Sequence, residues 1–440
     1  MKYVTPFSIL LLLIIVCPAS FSQTLKRQAL IDFSVKADKN ASNPILFNKV
    51  PENSRIYNAG VRSGDRIILM DNVPISSPLV YQKQLRKLRG DVKTELTVNR
   101  DGKNVRISFI PDKKQQESIE NCTTTYDEVV TKNGYPVRII VTRPKNISGK
   151  LPVIFFVQWL SCDQVEINRS SMDGWAYLNE DLANKTGYVL IRTEKPGLGD
   201  SEGPDCSECD LQHEIDAYKA SFSKMLNYDF VDKENVFVVG GSIGGALAPI
   251  VAEGQKIKGL ISTGGFSTTW YEHILDFERT RLFYAGTKPD QIDSLVKKFS
   301  LFYHEYLFKK RKPSAIIETD PGYKSLWYQA NDLQFGRPVK YYQQLQELNM
   351  SYYWNKINCP VLVVYGEYDW IMSRAEQENI AQLLNQKNPG SCKLAVIPGM
   401  NHHFSRYKNA QEAFDEPNIN YEADAFKEMK NWIDKLVRNN

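Results

Sequence analysis

Val236-Phe237-Val238-Val239-Gly240-Gly241-Ser242-Ile243-Gly244-Gly245 joins an apolar, β-type run to a Gly-x-Ser-x-Gly turn. Ala246, Leu247, Ala248, Ile250, Val251 and Ala252 follow at once in a small-residue helical pattern. A serine on so sharp a strand-to-helix turn must adopt a strained backbone, and glycines on either side let the strand and helix approach each other. The turn lifts the Ser242 hydroxyl above the sheet edge and sets the next backbone N–H, that of Ile243, beside it. One turn thus offers a nucleophile and half of a site for a developing oxyanion.

A nucleophilic serine on such a turn needs an acid and a histidine later in the chain, each on a loop after a strand. Val361-Leu362-Val363-Val364-Tyr365-Gly366-Glu367-Tyr368-Asp369 ends a buried-type strand in Gly-x-x-Asp. Leu394-Ala395-Val396-Ile397-Pro398-Gly399-Met400-Asn401-His402-His403-Phe404 ends the next in Gly-x-x-His, in a chain with 5 His in all. The imidazole takes the serine proton, while a carboxylate fixes its tautomer and stabilises the imidazolium. Ser242, Asp369 and His402 are the candidate catalytic residues, with Glu367 as the rival acid and His403 as the rival base.

Around these motifs β and α signals alternate. Strand-like runs at Val153–Val157, Tyr188–Ile191, Val236–Val239, Ile257–Ile261, Val361–Tyr365 and Leu394–Ile397 are separated by helical patterns near Trp175–Lys185, Leu211–Leu226, Gly244–Ala252 and Arg374–Leu384; another lies at Glu422–Val437. Such alternation predicts a mainly parallel sheet flanked by helices on both faces. Residues 266–355 lack a clear sheet strand but contain helical segments such as Trp270–Ala285 and Gln291–Phe308, so they read as an inserted helical cap. Its aromatic residues, among them Trp270, Tyr341, Tyr342 and Trp354, read first as the insertion's own core and second as a pocket lining.

From about Cys122 to the C-terminus the assembly resembles the α/β-hydrolase fold. The resemblance implies that Ser242, Asp369 and His402 form a triad and that a second oxyanion donor comes from the loop after Val153–Val157. In the family that loop often begins His-Gly; here it reads Gln158-Trp159-Leu160-Ser161-Cys162. Leu160 N–H is the expected donor beside Ile243 N–H, with Trp159 as the alternative. The stretch Glu194-Lys195-Pro196-Gly197-Leu198-Gly199-Asp200-Ser201-Glu202-Gly203 is a further hallmark of the family, its glycines shaping a turn beneath the site. No Gly-Lys-Ser/Thr follows, so it is not a nucleotide loop. The implied activity is hydrolysis of an ester or other small acyl substrate through an acyl-enzyme, with no metal or organic cofactor. Gly-Gly-Ser-x-Gly-Gly also resembles the elbow of prolyl-oligopeptidase-like enzymes, which keeps a peptidase as the second reading. Epoxide hydrolases and haloalkane dehalogenases of the same fold use Asp in place of the serine.

The segment 25–112 has its own character. Asn58-Ala59-Gly60-Val61-Arg62-Ser63-Gly64-Asp65-Arg66-Ile67 leads from a turn into a strand, a helical stretch Val80 to Leu88 follows, and Asn99-Arg100-Asp101-Gly102-Lys103 marks a hairpin. These residues resemble a bacterial-type PDZ domain, which implies strand-addition binding of a peptide or protein ligand. The loop expected to hold a terminal carboxylate reads Ser42-Asn43-Pro44-Ile45, without the family's glycines; a structural role stands beside peptide binding. A non-catalytic, PDZ-led binding protein is the reading from a different class. Residues 113–120 are polar and charged and read as a linker to a hydrolase domain spanning 121–440.

The chain of 440 residues, with 42% hydrophobic and 24% charged residues, is long enough for more than one domain. A net charge of +4 gives no footprint for nucleic acid. Lys2, the apolar run Ile9 to Val16 and the small residues Ser20 and Ser22 read as a signal peptide over 1–22. The apolar run falls short of the ~20 residues of a membrane span, so the mature chain is expected to be secreted or periplasmic, without a stable span. Cys17 admits a lipoprotein reading as a lesser alternative. Setting Cys17 aside from the 7 Cys leaves an even number, compatible with disulfides after export. Cys162 is expected to pair with Cys206 or Cys209, and Cys359 with Cys392. Cys206-Ser-Glu-Cys209 lies in a loop rather than at a helix start, and no Cys/His set completes a metal spacing.

Overall fold

A computed structural model describes residues 24–438, except 39, 40, 42, 170, 330 and 331. The expected signal segment with Cys17, and Ser42 of the loop noted above, lie outside the described residues.

The first part of the chain builds a small antiparallel sheet. Its strands are β1 (Ser34–Ala37), β2 (Ile45–Lys49), β3 (Arg66–Met70), β4 (Val73–Pro74), β5 (Thr94–Arg100) and β6 (Lys103–Phe109), in the order β1-β2-β3-β5-β6 with β4 paired to β3. Helices α1 (Arg55–Asn58) and α2 (Pro78–Lys87) complete a core around Phe47, Ile56, Val61, Ile67 and Val98. The β5–β6 hairpin turns at Asp101 and Gly102, both at positive φ, as a tight hairpin requires. Helix α2 begins two residues before its apolar pattern because Ser77 accepts a hydrogen bond from Val80 N and Pro78 sits in the first turn.

The second sheet has eight strands. β7 (Cys122–Val130) and β8 (Pro136–Pro144) form an antiparallel edge, and β9 (Leu151–Val157), β10 (Val189–Thr193), β11 (Val231–Gly241) and β12 (Gly259–Thr263) run parallel to one another. A two-stranded hairpin, β13 (Leu333–Gln334) with β14 (Arg337–Pro338), stands apart. Strands β15 (Val361–Gly366) and β16 (Cys392–Ile397) close the parallel part, giving the order β16-β15-β12-β11-β9-β10-β8-β7. Along β9, Val153, Phe155 and Val157 face one hydrophobic core, while Ile154 and Phe156 face another. The period of two places apolar side chains on both faces, so helices must cover both. α3 (Gly174–Lys185) and α13 (Asp424–Arg438) cover one; α4 (Leu211–Met225), α5 (Ile243–Val251) and α11 (Arg374–Lys387) cover the other.

Between β12 and β15 the chain forms α6 (Trp270–Tyr284), α7 (Pro289–Tyr303) with a π-helical turn His304–Phe308, α8 (Pro313–Thr319), α9 (Val339–Glu347) and α10 (Met350–Lys356). A short α12 (Ala410–Asp415) precedes α13. Tyr341, Tyr342 and Trp354 are fully buried, and Trp354 Nε1 donates to Phe266 O at 2.9 Å. The cap's interior is continuous with the core under α4 and α5, so the insertion is anchored to the sheet.

Residues 113–120 connect the two sheets with most of their length exposed, but Lys114, Glu117 and Ile119 turn inward. Glu117 is buried against Arg192 of β10, whose guanidinium is fully enclosed, and Glu117 Oε2 also accepts from Ile167 N at 2.7 Å. A buried arginine needs a counter-charge, and this segment supplies it. Lys114 pairs with Glu166 at 2.6 Å, while Arg27 bridges Glu166 and Asp200. The N-terminal part is thereby tied to the large sheet by buried charges. Glu194, fully enclosed at the end of β10, has its carboxyl pushed up to about 7, first by burial and then by the negative charge of Glu166.

Of the expected disulfides, Cys162–Cys206 forms, with Cα atoms 5.8 Å apart. Cys209 remains a buried thiol pushed up to about 12 by burial. The Cys359–Cys392 pairing is corrected: both are free. Cys392 lies in register with Val361, which leaves Cys359 two residues away along the neighbouring strand. That offset sets the Cα atoms roughly 8 Å apart, beyond disulfide reach.

Glu117→Ala should leave Arg192 as an unpaired buried charge and destabilise the full chain by about 3–5 kcal/mol, read from its urea midpoint. Glu194 binds its proton more tightly folded than unfolded, so its contribution is complete below its ordinary value and is lost as pH rises through about 7. Glu194→Gln, which imitates the neutral acid, should match the wild-type Tm near pH 5 and exceed it at pH 8.

Candidate active site

The site is set where β11 gives way to α5. In register, Gly240 of β11 opposes Val157 of β9, which brings the loop after β9 beside the turn. A Cβ on Gly240 would sit 2.2 Å from Gly244 O, and one on Gly244 would sit 2.2 Å from Val157 O. Only glycine permits this approach of strand, helix and neighbouring strand. Ser242 takes up the resulting turn with φ 55° and ψ −127°, a strained state for a side-chain-bearing residue. Its N–H donates to Thr263 O at 2.7 Å, fixing it to β12.

Asp369 stands on the loop after β15. Its Oδ1 accepts from Ile371 N and Met372 N, both at 2.9 Å, which orients the carboxylate and leaves Oδ2 for His402 Nδ1 at 2.7 Å. His402, on the loop after β16, places Nε2 at 3.0 Å from Ser242 Oγ. With Nδ1–H donating to the carboxylate, Nε2 is the acceptor for the serine hydroxyl. The Trp175 and His402 rings pack edge to face with centroids 5.6 Å apart. All three polar residues are buried, yet Ser242 and His402 line one cavity.

The rivals are separated from this chain of contacts. Glu367 is exposed and accepts from Gly399 N at 2.8 Å. His403 turns to Glu416, at 2.6 Å. Burial alone would lower the His403 pKa, but the hydrogen bond and charge of Glu416 outweigh it and raise it. The basic run at Lys309–Lys312 faces solvent, with Lys310 paired to Glu347 and Arg311 to Glu305.

The cavity measures about 390 Å³. Trp159, Leu160 and Ile243 border it on the sheet side, while Trp270, Ile274 and Phe277 of α6 roof it. Its wall is chiefly apolar, with the hydroxyl and imidazole at its floor. Of the cap aromatics singled out in the sequence, Trp270 reaches this space, whereas Tyr341, Tyr342 and Trp354 serve the cap's interior. Phe277 and His273 are lining residues that no motif announced. Lys195, Glu214 and Arg337, all fully buried, gather beneath the Trp159–Ser161 loop, and no sequence signal joined them. Among the described residues no group of His, Cys, Asp and Glu is arranged to hold a metal, and no helix is long and apolar enough to cross a membrane.

Sheet order, elbow and cap define an α/β-hydrolase, and the profile of the alpha/beta hydrolase fold family matches residues 152–405, more than half of the chain. The chain belongs to that family. Among curated proteins it is similar to Esterase EstD of Thermotoga maritima, 23% identical over 333 residues that cover 73% of this chain and 71% of that protein. Similar solved structures include Est1E from Butyrivibrio proteoclasticus with ferulic acid bound (19% identity, 71% of this chain and 99% of that one, TM-score 0.45). The Pyrococcus furiosus esterase is another (17% identity, 72% and 91%, TM-score 0.43).

Gly240→Ala should force the elbow apart through its contact with Gly244 O. Its expected outcome is loss of Ser242 labelling by a fluorophosphonate under conditions where the wild-type chain labels fully, together with a lowered Tm.

Proposed function

We propose that this chain is an exported serine esterase. The observation that carries the reading is the continuous path from Ser242 Oγ to His402 Nε2 at 3.0 Å and from His402 Nδ1 to Asp369 Oδ2 at 2.7 Å. In the proposed reaction His402 takes the Ser242 proton as Oγ attacks the ester carbonyl, and Asp369 stabilises the imidazolium. The carbonyl oxygen, now negative, is held by the N–H groups of Ile243 and Leu160. Collapse expels the alcohol, to which His402 returns the proton, and leaves an acyl-Ser242. Water, deprotonated by the same histidine, then releases the acid.

The modest, chiefly apolar cavity under α6 favours an ester with a small to medium apolar acyl group over a folded or extended peptide. The similarity to Esterase EstD supports the same choice. The Cys162–Cys206 disulfide supports maturation in an oxidising compartment, secreted or periplasmic. For the first part of the chain we propose a PDZ-like module in a structural role. Its α2, the helix that would flank a bound peptide, is engaged through Lys83 with Glu208 at 2.7 Å and Arg86 with Asp205 at 2.9 Å.

A fluorophosphonate probe should label the wild-type chain at Ser242 and leave Ser242→Ala unmodified. A p-nitrophenyl ester series from acetyl to octanoyl should be hydrolysed well above any peptide anilide, with Ser242→Ala and His402→Ala each lowering kcat by roughly 10⁴-fold or more. Folded wild-type protein that neither labels nor hydrolyses any ester would refute the esterase and favour a binding protein. Preferential cleavage of peptide anilides would favour the peptidase.

A further inference from the structure

The loop Trp159–Cys162 beside Ser242 contains no glycine, so its shape is imposed from outside. Three successive carbonyls in it are held by two buried cations. Lys195 Nζ donates to Trp159 O and, at 3.2 Å, to Ser161 O. Arg337 Nε donates to Leu160 O at 3.1 Å. Glu214 lies between these cations, 3.6 Å from Lys195 Nζ and 2.8 Å from Arg337 Nη2. All three side chains are at 0% exposure and come from different elements: the turn after β10, helix α4 and strand β14 of the cap. The Cys162–Cys206 disulfide closes the end of the same loop.

Two cations with one anion are more positive charge than pairing alone requires, and an excess buried charge is costly unless it meets partners. The partners here are the loop carbonyls. Trp159 O and Leu160 N–H belong to one conjugated peptide unit, so a cation at the oxygen draws density from the nitrogen and makes its N–H a stronger donor. Accepting Leu160 N–H as the oxyanion donor, as the esterase reading does, we propose that Lys195 is a positioning residue. Paired with Glu214, which Arg337 holds from its other side, it fixes and polarises the Trp159–Leu160 peptide and so strengthens the oxyanion site from behind.

The effect depends on the ammonium keeping its proton. Burial brings its pKa down to about 7, Arg337 adds to the fall, and Glu214 opposes it. Asp163 on the loop side and Cys209 ahead of α4 are the other titratable groups acting on it. Lys195 is charged below that value, so kcat should decline as pH rises through it.

The test uses the full chain with a p-nitrophenyl ester and a boronic acid that forms a tetrahedral adduct on Ser242. Lys195→Met should lower kcat roughly ten- to a hundredfold, less than the ~10²–10³-fold loss on removing an oxyanion donor outright, because the Leu160 N–H remains. KM should stay within about twofold, and boronate affinity should fall by the same factor as kcat. Lys195→Arg, which keeps the charge, should recover most of both and move the alkaline decline to higher pH. Equal kcat for the Met and Arg variants, or boronate affinity unmoved in Lys195→Met, would overturn the proposal. Should Lys195→Met fail to fold by Tm and circular dichroism, Glu214→Gln provides the second arm. It removes the group that holds the proton on Lys195, so the decline must shift to lower pH; an unchanged profile overturns the proposal. A wild-type chain unlabelled at Ser242 by fluorophosphonate would instead bring down the esterase reading, which separates the two failures.

Discussion

The close approach of β9, β11 and α5 at Gly240 and Gly244 is the constraint on which the rest of the site depends. Two glycines without side chains bring a strand end, a helix start and a neighbouring strand nearly into backbone contact, and Ser242 absorbs the geometric cost in its positive φ. Such strain persists only where the surroundings overdetermine it. Here they do: the Ser242 N–H is held by β12, and the elbow is packed between two cores that the alternating residues of β9 and β11 divide. The same approach places the loop after β9 at the serine. The positions of Ser242 and of the loop after β9 are therefore consequences of one packing event.

Charge, as much as apolar burial, holds the parts around this event. Asp200, completely enclosed, receives Arg27 and Arg138, while Arg192 receives Glu117. These pairs join the N-terminal stretch, the connecting segment and the antiparallel edge of the large sheet. Buried ion pairs add little net stability over apolar replacements, but breaking one is severe, so their value lies in specifying one arrangement. A purely apolar contact could slide; a guanidinium shared between two carboxylates cannot. The segment 113–120 is accordingly a strap anchored by Lys114 and Glu117.

That strap shows where sequence reading stops. Its composition is the same whether its charges face water or an enclosed arginine 75 residues away, and no periodicity distinguishes the two. The elbow, the Asp369 loop and the His402 loop were legible because each is a local pattern: an apolar strand followed by a short turn with a reactive residue at fixed offset. The choice between His402 and His403 was not local. It depends on Glu416 drawing one imidazole aside while Asp369, oriented by two backbone N–H groups, takes the other. The cysteines divide in the same way. Cys162 and Cys206 sit on loops that fold onto one edge, whereas the register of β15 and β16 sets Cys359 out of reach of Cys392. Register is a property of paired strands, and neither strand carries it alone.

The cap adds a level that no single segment encodes. Its helices roof the cavity with Trp270, Ile274 and Phe277, which would make it a lid of the usual kind. Yet its short β13–β14 hairpin also sends Arg337 down to Glu214 and to the carbonyl of Leu160, beneath the loop that borders Ser242. The insertion thus braces the loop after β9 as well as roofing the cavity. A change in the cap's seating would alter together the shape of the cavity beside Ser242 and, through one buried guanidinium, the support of the loop. The roof of the cavity and the support of the Trp159–Ser161 loop are consequently coupled in this chain, and variation in the cap is constrained by electrostatics as well as by the volume it must leave beside Ser242.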